Sequence, residues 1–272
     1  MTAPLSTEFI TFAEGMADAA RALIRARFRA PPDIEMKPDN SPVTPTDLEV
    51  ERLIRGMISD RYPSHGIVGE EYPATARDAE CVWVIDPIDG TRAFIAGRPV
   101  FGSLITLTIG GTPVLGVVDI PIMQERWVGA AGHPTRLNGT ETRTRRCPGL
   151  SQAILLACSP EYLDGDAAEP FARLARSVRF ATYDTGTQGY GLIASGHGDI
   201  MIAARYYSIV DYLAAVPVIE GAGGMIRDWS GAPLTLDSKD RFVAVGDPAL
   251  LPVVLDTLAH PQTGEPAHAQ PG

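Results

Sequence analysis

The sequence has fewer basic than acidic residues, and this deficit limits the partners that it can bind. Its 23 lysines and arginines stand against 33 aspartates and glutamates, which gives a formal net charge of −10. Nucleic-acid binding needs a basic surface for the phosphate backbone, so a nucleic-acid partner is excluded. An anionic substrate would also be repelled unless cations, such as metal ions, neutralised its site locally.

Long apolar segments are absent as well. No stretch approaches about 18 uninterrupted apolar residues, so we expect no membrane span and no membrane partner. The first residues lack a basic segment followed by an apolar run, which is the pattern of a secretory signal. The sequence therefore predicts a cytoplasmic protein.

Cysteine is scarce. Cys81, Cys147 and Cys158 are odd in number, and no Cys-x-x-Cys occurs. This excludes a disulfide framework and a thiolate zinc site, and it favours buried thiols in a reducing compartment.

Periodicity and turn residues predict helices that alternate with strands. An amphipathic helix is expected over residues 7–28, and a second helix begins with a capping box of Thr46 and Glu49. Further along, the pattern predicts a hairpin over 103–118 and one longer helix over 211–222. The predicted class is α/β in the broad sense that includes α+β, with helix layers packed on sheet layers.

The length of 272 residues allows one large domain or two tightly joined halves. Residues 132–149 are rich in Gly, Pro, Thr and Arg and mark the expected boundary. We therefore predict an N-terminal α+β half at 1–146 and a C-terminal α/β half at 147–260. The segment 261–272 is polar, without apolar periodicity, and is expected to be a disordered tail.

The segment Asp86–Thr91 carries the clearest chemical signal. It follows a short apolar strand at 82–85, and its two carboxylates, three residues apart on a turn, can converge on one point. Pro87 stiffens the turn, and Gly90 permits a backbone conformation that most residues resist. The amides of Gly90 and Thr91 could hold an anion. An ordinary Asp/Pro/Gly turn is the alternative interpretation.

Three further acids are candidates for the same site. Glu70 and Glu71 follow a short apolar pair, and adjacent side chains at a strand end point to opposite sides, so one can face a site and the other its support. Asp211 lies near the start of an apolar helix. Taken singly, Glu70 and Glu71 are also explained as a solvated surface pair, and Asp211 as a carboxylate that interacts with the helix dipole.

Taken together, the acids predict a metal centre formed by Glu70, Asp86, Asp89 and Asp211. Carboxylates are hard oxygen ligands, which suit Mg²⁺ rather than zinc. Clustered carboxylates without cations would repel one another and shift toward neutrality. Metal ions relieve that repulsion, attract a phosphate dianion, and can clamp the attacking and leaving oxygens of an in-line displacement.

Other phosphatase chemistries do not fit the sequence. The residues six positions beyond the three cysteines are Pro87, Ala153 and Asp164, so no cysteine nucleophile stands before an arginine at that spacing. An Asp-x-Asp nucleophile is excluded because the partner of Asp86 lies three residues on. The Gly-x-Ser-x-Gly and His-Glu-x-x-His motifs do not occur.

The motifs, in this order and spacing, resemble the inositol monophosphatase superfamily of lithium-sensitive, Mg²⁺-dependent phosphatases. The matching segments are Pro42-Val43-Thr44-Pro45-Thr46-Asp47, Gly69-Glu70-Glu71, Trp83-Val84-Ile85-Asp86-Pro87-Ile88-Asp89-Gly90-Thr91, and Asp211 with Gly221-Ala222-Gly223-Gly224. The resemblance spans about residues 8–258. It implies a layered αβαβα sandwich, a homodimer and a small phosphorylated metabolite as substrate.

The resemblance also implies a role for each matching residue. Two or three Mg²⁺ ions would be held by carboxylates and by the Ile88 carbonyl; the implied ligands are Glu70, Asp86, Ile88, Asp89 and Asp211. Asp47 and Thr91, with Glu70, would orient and activate the attacking water. The Gly90 and Thr91 amides would hold the phosphate, and Glu71 would support the ligands from behind.

Within the superfamily, three segments look most like the bacterial histidinol-phosphatase branch: 89–95, 190–196 and 217–224. The substrate end departs from that pattern. Asp184-Thr185-Gly186 replaces a Gly-Gly-Asp-like run, and Ala203-Ala204-Arg205 lacks the acid that usually meets the substrate's hydroxyls or amine. We expect histidinol phosphate or an inositol monophosphate as substrate, with selectivity set at Asp184, Thr185, Gly186, Ala203 and Arg205.

Two alternatives follow from these departures. Arg205 in place of an acid could favour a more anionic sugar or nucleotide bisphosphate through arginine–phosphate pairing. The segment before Asp211 is one residue longer than the family pattern, which leaves open a catalytically quiet member that binds or regulates.

Overall fold

In the computed structural model, the described residues are 4–31 and 33–260. The helices are α1 (Thr7–Arg27), α2 (Pro45–Arg61), α3 (Thr91–Ile95), α4 (Ala168–Ser177), α5 (Gln188–Ala194), α6 (Ile209–Tyr212), α7 (Ala215–Gly221) and α8 (Leu251–Ala259). The strands are β1 (Glu35–Met36), β2 (Pro42–Val43), β3 (Gly66–Gly69), β4 (Cys81–Asp89), β5 (Gly102–Ile109), β6 (Thr112–Ile120), β7 (Glu125–Ala130), β8 (Arg136–Leu137), β9 (Thr140–Glu141), β10 (Ile154–Leu156), β11 (Phe180–Thr182), β12 (Ile200–Ala203), β13 (Met225–Arg227) and β14 (Phe242–Val245).

Five layers of helices and sheets stack on one another, which confirms the predicted αβαβα sandwich. Helices α1 and α2 cover one face of a seven-stranded sheet of order β3-β4-β5-β6-β7-β8-β9. Helices α5 and α7 fill the space between that sheet and a five-stranded sheet of order β11-β10-β12-β14-β13. Helices α4 and α8 cover the outer face of the second sheet.

Alternation along β4 explains how one strand supplies two cores. Trp83 and Ile85 pack against the layer of α1 and α2, whereas Val82 and Val84 face the middle layer. Successive side chains of a strand point to opposite faces, so a strand buried on both sides reads as an uninterrupted apolar run.

The seven-stranded sheet is drawn from residues 66–141 and the five-stranded sheet from residues 154–245. Helix α7 nevertheless packs on the first sheet, because Gly116 and Gly129 leave room for the backbone of Ala214 and Pro217. The division into halves at 146 and 147 stays a prediction, and the predicted tail at 261–272 lies outside the described residues.

The helix predicted over 211–222 is wrong in one respect, because two shorter helices, α6 and α7, occupy this stretch. Pro217 has no N–H to donate to the carbonyl of Leu213, and its ring would collide with that carbonyl in a continuous helix. The chain instead forms a tighter turn, in which the N–H of Val216 donates to Leu213 O at 3.2 Å.

Two other local expectations are corrected. Helix α2 begins two residues earlier than predicted, with Thr44 as its N-cap and Asp47 as the acid of the capping box, instead of Thr46 and Glu49. The turn expected at Asp86 is an irregular continuation of β4 as far as Asp89. Among the described residues, none of the helices has the length and hydropathy needed to cross a membrane.

Candidate metal centre

An irregularity in β4 turns two carboxylates toward one point. In a regular strand, residues three apart face opposite sides of the sheet. Pairing of β4 with β5 shifts between Asp86 and Asp89, where Pro87 has no N–H to contribute, so Asp89 returns to the side of Asp86. The buried hydroxyl of Ser103 donates to the Pro87 carbonyl and holds this irregular segment.

Asp211 joins the pair from the third residue of α6. Its carboxylate accepts a hydrogen bond from the Ser208 N–H at 2.5 Å, as in a capping box, and its carbonyl accepts one from the Tyr190 hydroxyl at 2.9 Å. One carboxylate oxygen from each of Asp86, Asp89 and Asp211 lies within 4.8 Å of the others. The extra residue before Asp211 therefore does not turn this carboxylate away from the cluster.

The three carboxylates are held in a setting that disfavours their charge. Asp86 is 1% exposed, and neither of its carboxylate oxygens has a hydrogen-bond partner within the described part of the chain. Burial, and then the charges of neighbouring carboxylates, raise the pKa of Asp86 well above its ordinary value. Burial likewise raises the pKa of Asp89 to about 6 and that of Asp211 to about 8. A convergent set of hard oxygen donors, in which the buried Asp86 has no hydrogen-bond partner among the described residues, fits a divalent cation.

Thr187, at the N-terminus of α5, contacts Asp89, and sequence reasoning missed this contact. Its hydroxyl donates to a carboxylate oxygen of Asp89 and lies 3.2 Å from the Asp89 carbonyl. Gly102 allows this approach, because a Cβ there would lie 2.7 Å from the Thr187 methyl group. Sequence alone gave no signal, since Thr187 and Asp89 are 98 residues apart.

Asp47 and Thr91 also meet, from the first turn of α2 and the first residue of α3. The Thr91 hydroxyl lies 3.2 Å from both Asp47 Oδ1 and the Ile88 carbonyl. Asp47 is fully buried, and its other oxygen accepts hydrogen bonds from the Thr44 N–H and hydroxyl at 2.9 and 2.5 Å. Burial raises the pKa of Asp47, and the two hydrogen bonds from Thr44 oppose that rise. Gly90, between these elements, has a φ of +91°, which a residue with a Cβ resists.

Glu70 and Glu71 are both paired with Lys37, which sequence reasoning also missed. The Lys37 ammonium lies 2.9 Å from Glu70 and 2.8 Å from Glu71. Burial alone would lower the pKa of Lys37, but its hydrogen bonds to Glu71 and Glu70 raise it overall. The rarity of lysine is a signal that could have pointed to Lys37, because Lys37 and Lys239 are the two lysines among the 23 basic residues.

Glu51 fixes the turn that carries these two acids. Its buried carboxylate accepts hydrogen bonds from the Glu71 and Tyr72 N–H groups at 2.7 and 3.2 Å and from Arg55 at 2.7 Å. It occupies the space beside Gly69, where a Cβ would collide with it. The turn therefore fixes the position of Glu70, whose negative charge raises the pKa of Asp86 even though Glu70 is paired with Lys37.

The predicted specificity residues lie on two segments, one that follows β11 and one at the end of β12. Asp184 is exposed and paired with Arg98, and the Thr185 hydroxyl donates to the Ala157 carbonyl at 3.3 Å. Gly186 has a φ of +49°. At the end of β12, Ala203 is buried, and Arg205 is paired with Asp164 at 3.0 Å and Asp166 at 3.7 Å; a role in specificity stays a prediction for all of them.

Comparison with known proteins identifies the family. The model of the inositol monophosphatase family matches residues 5–260, nearly the whole described chain. The chain belongs to the inositol monophosphatase family. It is 43% identical over 238 residues to the bifunctional phosphatase IMPL2, chloroplastic, of Arabidopsis thaliana, a match that covers 87% of this chain and 68% of that one. It is 34% identical over 234 residues to the histidinol-phosphatase of Mycobacterium tuberculosis, covering 84% and 90% of the two chains.

A solved structure supports the same assignment. The inositol monophosphatase from Zymomonas mobilis is 40% identical, superposes with a TM-score of 0.85, and covers 93% of this chain and 98% of its own. The family and these relatives are phosphatases, so the chain is a phosphoric monoester hydrolase. Enzymes of this family use divalent metals, and the cluster of Asp86, Asp89 and Asp211 is compatible with them.

Proposed function

We propose that the chain hydrolyses a small phosphomonoester in a Mg²⁺-dependent reaction, with histidinol phosphate as its preferred substrate and an inositol monophosphate as the second choice. One observation carries the metal requirement: three convergent carboxylates, of which Asp86 is buried with no hydrogen-bond partner among the described residues. Leaving such a charge buried without compensation costs several kcal/mol, and a cation removes that cost.

Asp86, Asp89, Asp211, Glu70 and the Ile88 carbonyl would hold the ions. When bound, Mg²⁺ supplies positive charge that stabilises the phosphate oxygens and lowers the pKa of an attacking water. The chain's own contribution is to position the water and accept its proton. The Thr91 hydroxyl, 3.2 Å from Asp47 Oδ1, would orient the water, and Asp47, already held by Thr44, would receive the proton. The Gly90 and Thr91 amides would hold the phosphate group.

The preference for histidinol phosphate rests on the relatives and on the charge beside the site. The histidinol-phosphatase of Mycobacterium tuberculosis and the bifunctional phosphatase of Arabidopsis thaliana are among the more similar relatives. A bisphosphate would need an uncompensated cation to receive its second phosphate. The guanidinium of Arg205 already faces the carboxylates of Asp164 and Asp166, which favours a monophosphate over the bisphosphate alternative.

The test is phosphate release by the purified protein from histidinol phosphate, myo-inositol 1-phosphate and a sugar bisphosphate. Each would be measured with Mg²⁺, with chelator and with Li⁺. We expect Mg²⁺-dependent, Li⁺-inhibited release that is fastest for histidinol phosphate. Asp256→Asn, at an exposed position of α8, is a matched control for Asp89→Asn. Activity that persists in chelator, or in Asp89→Asn, would refute the proposal. Inactivity on every compound would favour the alternative of a catalytically quiet member that binds or regulates.

We also propose that the protein forms a homodimer. The support is the edge strand β11 of the five-stranded sheet, which carries Phe180, 49% exposed, and is followed by Tyr183, 44% exposed. An open strand edge with exposed aromatic side chains is a surface that proteins commonly cover. Light scattering coupled to gel filtration measures the mass directly, and a mass near 29.1 kDa, that of one chain, would contradict a dimer.

A further inference from the structure

Helix α6, which carries Asp211, is a single turn that comprises the four residues Ile209–Tyr212. A helix this short is not stable by itself in water, so its place depends on contacts with other parts of the chain. The break before α7 also interrupts the ladder of backbone hydrogen bonds, and carbonyl groups near a helix end need other donors. The position of the Asp211 carboxylate is therefore set by the contacts that hold this turn.

The Tyr190 side chain supplies such a donor to Asp211 itself. Its hydroxyl donates to the Asp211 carbonyl at 2.9 Å, and the residue is only 1% exposed. The carbonyl carbon is bonded to the Cα that carries the carboxylate side chain, so this hydrogen bond fixes the point from which the carboxylate extends. The Ser208 N–H, which donates to the carboxylate, belongs to the same local turn, whereas Tyr190 reaches Asp211 from α5.

Helix α5 also contacts a second member of the cluster. Thr187, its N-cap, donates to the Asp89 carboxylate. Residues three apart lie on the same face of a helix, so Thr187 and Tyr190 extend from one face of α5. Asp89 ends β4 of the seven-stranded sheet, and Asp211 follows β12 of the five-stranded sheet. One helix thus contacts a carboxylate residue from each side of the middle layer.

Helix α5 is itself held by both sheets. Trp127 of β7 donates through Nε1 to the hydroxyl of Ser195, the C-cap of α5, at 2.8 Å. Gly191 lets the helix lie against this ring, because a Cβ there would be 2.4 Å from Trp127. On the other side, the ring of Phe242 in β14 packs 5.9 Å from the Tyr190 ring, measured between centroids. These contacts make α5 a fixed support for the residues that it touches.

We propose that Tyr190 is a positioning residue of the metal centre, which fixes Asp211 so that its carboxylate meets those of Asp86 and Asp89. Distances between a metal ion and its ligands vary by only about ±0.2 Å, so small shifts of Asp211 weaken binding. The inference rests on the metal requirement of the proposed function, and Tyr190 acts through Asp211. The alternative is that the hydroxyl only satisfies a buried carbonyl, in which case its loss would destabilise the fold without changing metal affinity.

The test is calorimetric titration of the metal-free protein with Mg²⁺ for the wild type, Tyr190→Phe and Tyr212→Phe. Tyr190→Phe removes the hydroxyl and keeps the buried ring. Tyr212→Phe is the matched control, because Tyr212 is buried in the same turn and its hydroxyl donates to the Lys239 carbonyl instead of to Asp211. We expect Tyr190→Phe to raise the Kd for Mg²⁺ about tenfold or more, since loss of a group that orients a metal ligand typically costs 10–100-fold. Tyr212→Phe should change the Kd by less than about twofold.

Urea denaturation separates positioning from a general loss of stability. Each variant loses one buried hydrogen bond, so both should unfold in chelator at a lower urea concentration than the wild type. Addition of Mg²⁺ should raise the unfolding midpoint of the wild type and of Tyr212→Phe by the same amount. It should raise the midpoint of Tyr190→Phe by less, because the stabilisation that a ligand provides follows its affinity.

The outcomes distinguish the role of Tyr190 from the existence of the metal centre. A rise in Kd that is confined to Tyr190→Phe supports the inference. Equal Mg²⁺ affinity of Tyr190→Phe and wild type, or an equal loss of affinity in both variants, would overturn the role of Tyr190 and leave the metal centre in place. A wild-type protein that binds no Mg²⁺ would contradict the proposed function together with this inference.

Discussion

Thr187 donates its hydroxyl hydrogen bond to the carboxylate of Asp89, which joins α5 of the middle layer to the end of β4. The contact holds one oxygen of the Asp89 carboxylate, which clusters with the carboxylates of Asp86 and Asp211. Groups that orient metal ligands in this way are as much part of a metal site as the ligands themselves.

Replacing Thr187 by valine keeps the shape of the side chain and removes the donor. We expect the Mg²⁺ concentration for half-maximal activity to rise about tenfold or more, because loss of such an orienting contact typically costs 10–100-fold in metal affinity or activity. Thr187→Ser keeps the hydroxyl and should stay near wild type. Equal Mg²⁺ dependence of the valine and serine variants would show that the contact has no part in metal binding.

Lys37 neutralises two carboxylates beside the cluster, one of which, Glu71, has a side chain only 2% exposed. Lys37→Met leaves that buried group without its cation, so the free energy of unfolding should fall by about 1–3 kcal/mol. Urea denaturation in chelator measures this loss. Lys239→Met, at the other lysine of the chain, is the matched control and should change the stability by less than about 0.5 kcal/mol. A loss of the same size in both variants would contradict the role given to the Lys37 pairs.

The stability of the metal-free protein should fall as pH rises from about 4 to 8. The carboxyls of Asp89 and Asp211 titrate at about 6 and about 8 in the folded protein, above their ordinary value of 3.8. The folded state therefore binds more protons than the unfolded chain across this range, and deprotonation favours unfolding. Urea denaturation in chelator at several pH values should show a fall of at least about 1 kcal/mol.

Two comparisons test the origin of this pH dependence. Saturating Mg²⁺ should flatten it, because a cation compensates the charges that deprotonation creates. Asp211→Asn should also flatten it in chelator, since one of the raised carboxyls is gone. Metal-free protein whose stability rises steadily from pH 5 to 8 would contradict the assigned pKa shifts.

The sequence predicts the fold and the convergence of Asp86 and Asp89 because both depend on local signals, whereas the role of Glu70 as a ligand stays a prediction. Asp86 and Asp89 stand in one contiguous motif, and the apolar run of β4 before them is unambiguous. The cap of α2 was misassigned by two residues, from Thr44 to Thr46, because both threonines are followed three residues later by an acid. Pro217 was overlooked as a break because the apolar periodicity continues through it.

Contacts between distant segments could not be predicted in the same way. Lys37 reaches Glu70 and Glu71 across 33 and 34 residues. The pairing of Arg205 with Asp164 likewise joins residues 41 positions apart, which no local pattern encodes. The sequence leaves open that Arg205 pairs with a phosphate, and its two carboxylate partners are visible only in the folded chain.

Calorimetric titration of the metal-free protein with Mg²⁺ tests the central claim, that Asp86, Asp89 and Asp211 form a metal centre. The proteins to compare are the wild type, Asp86→Asn and the exposed control Asp256→Asn. We predict Mg²⁺ binding in the millimolar range or tighter for wild type and Asp256→Asn, and at least about tenfold weaker binding for Asp86→Asn, because it removes a charged ligand. Absence of Mg²⁺ binding by the wild type, or equal binding by all three proteins, would contradict the account.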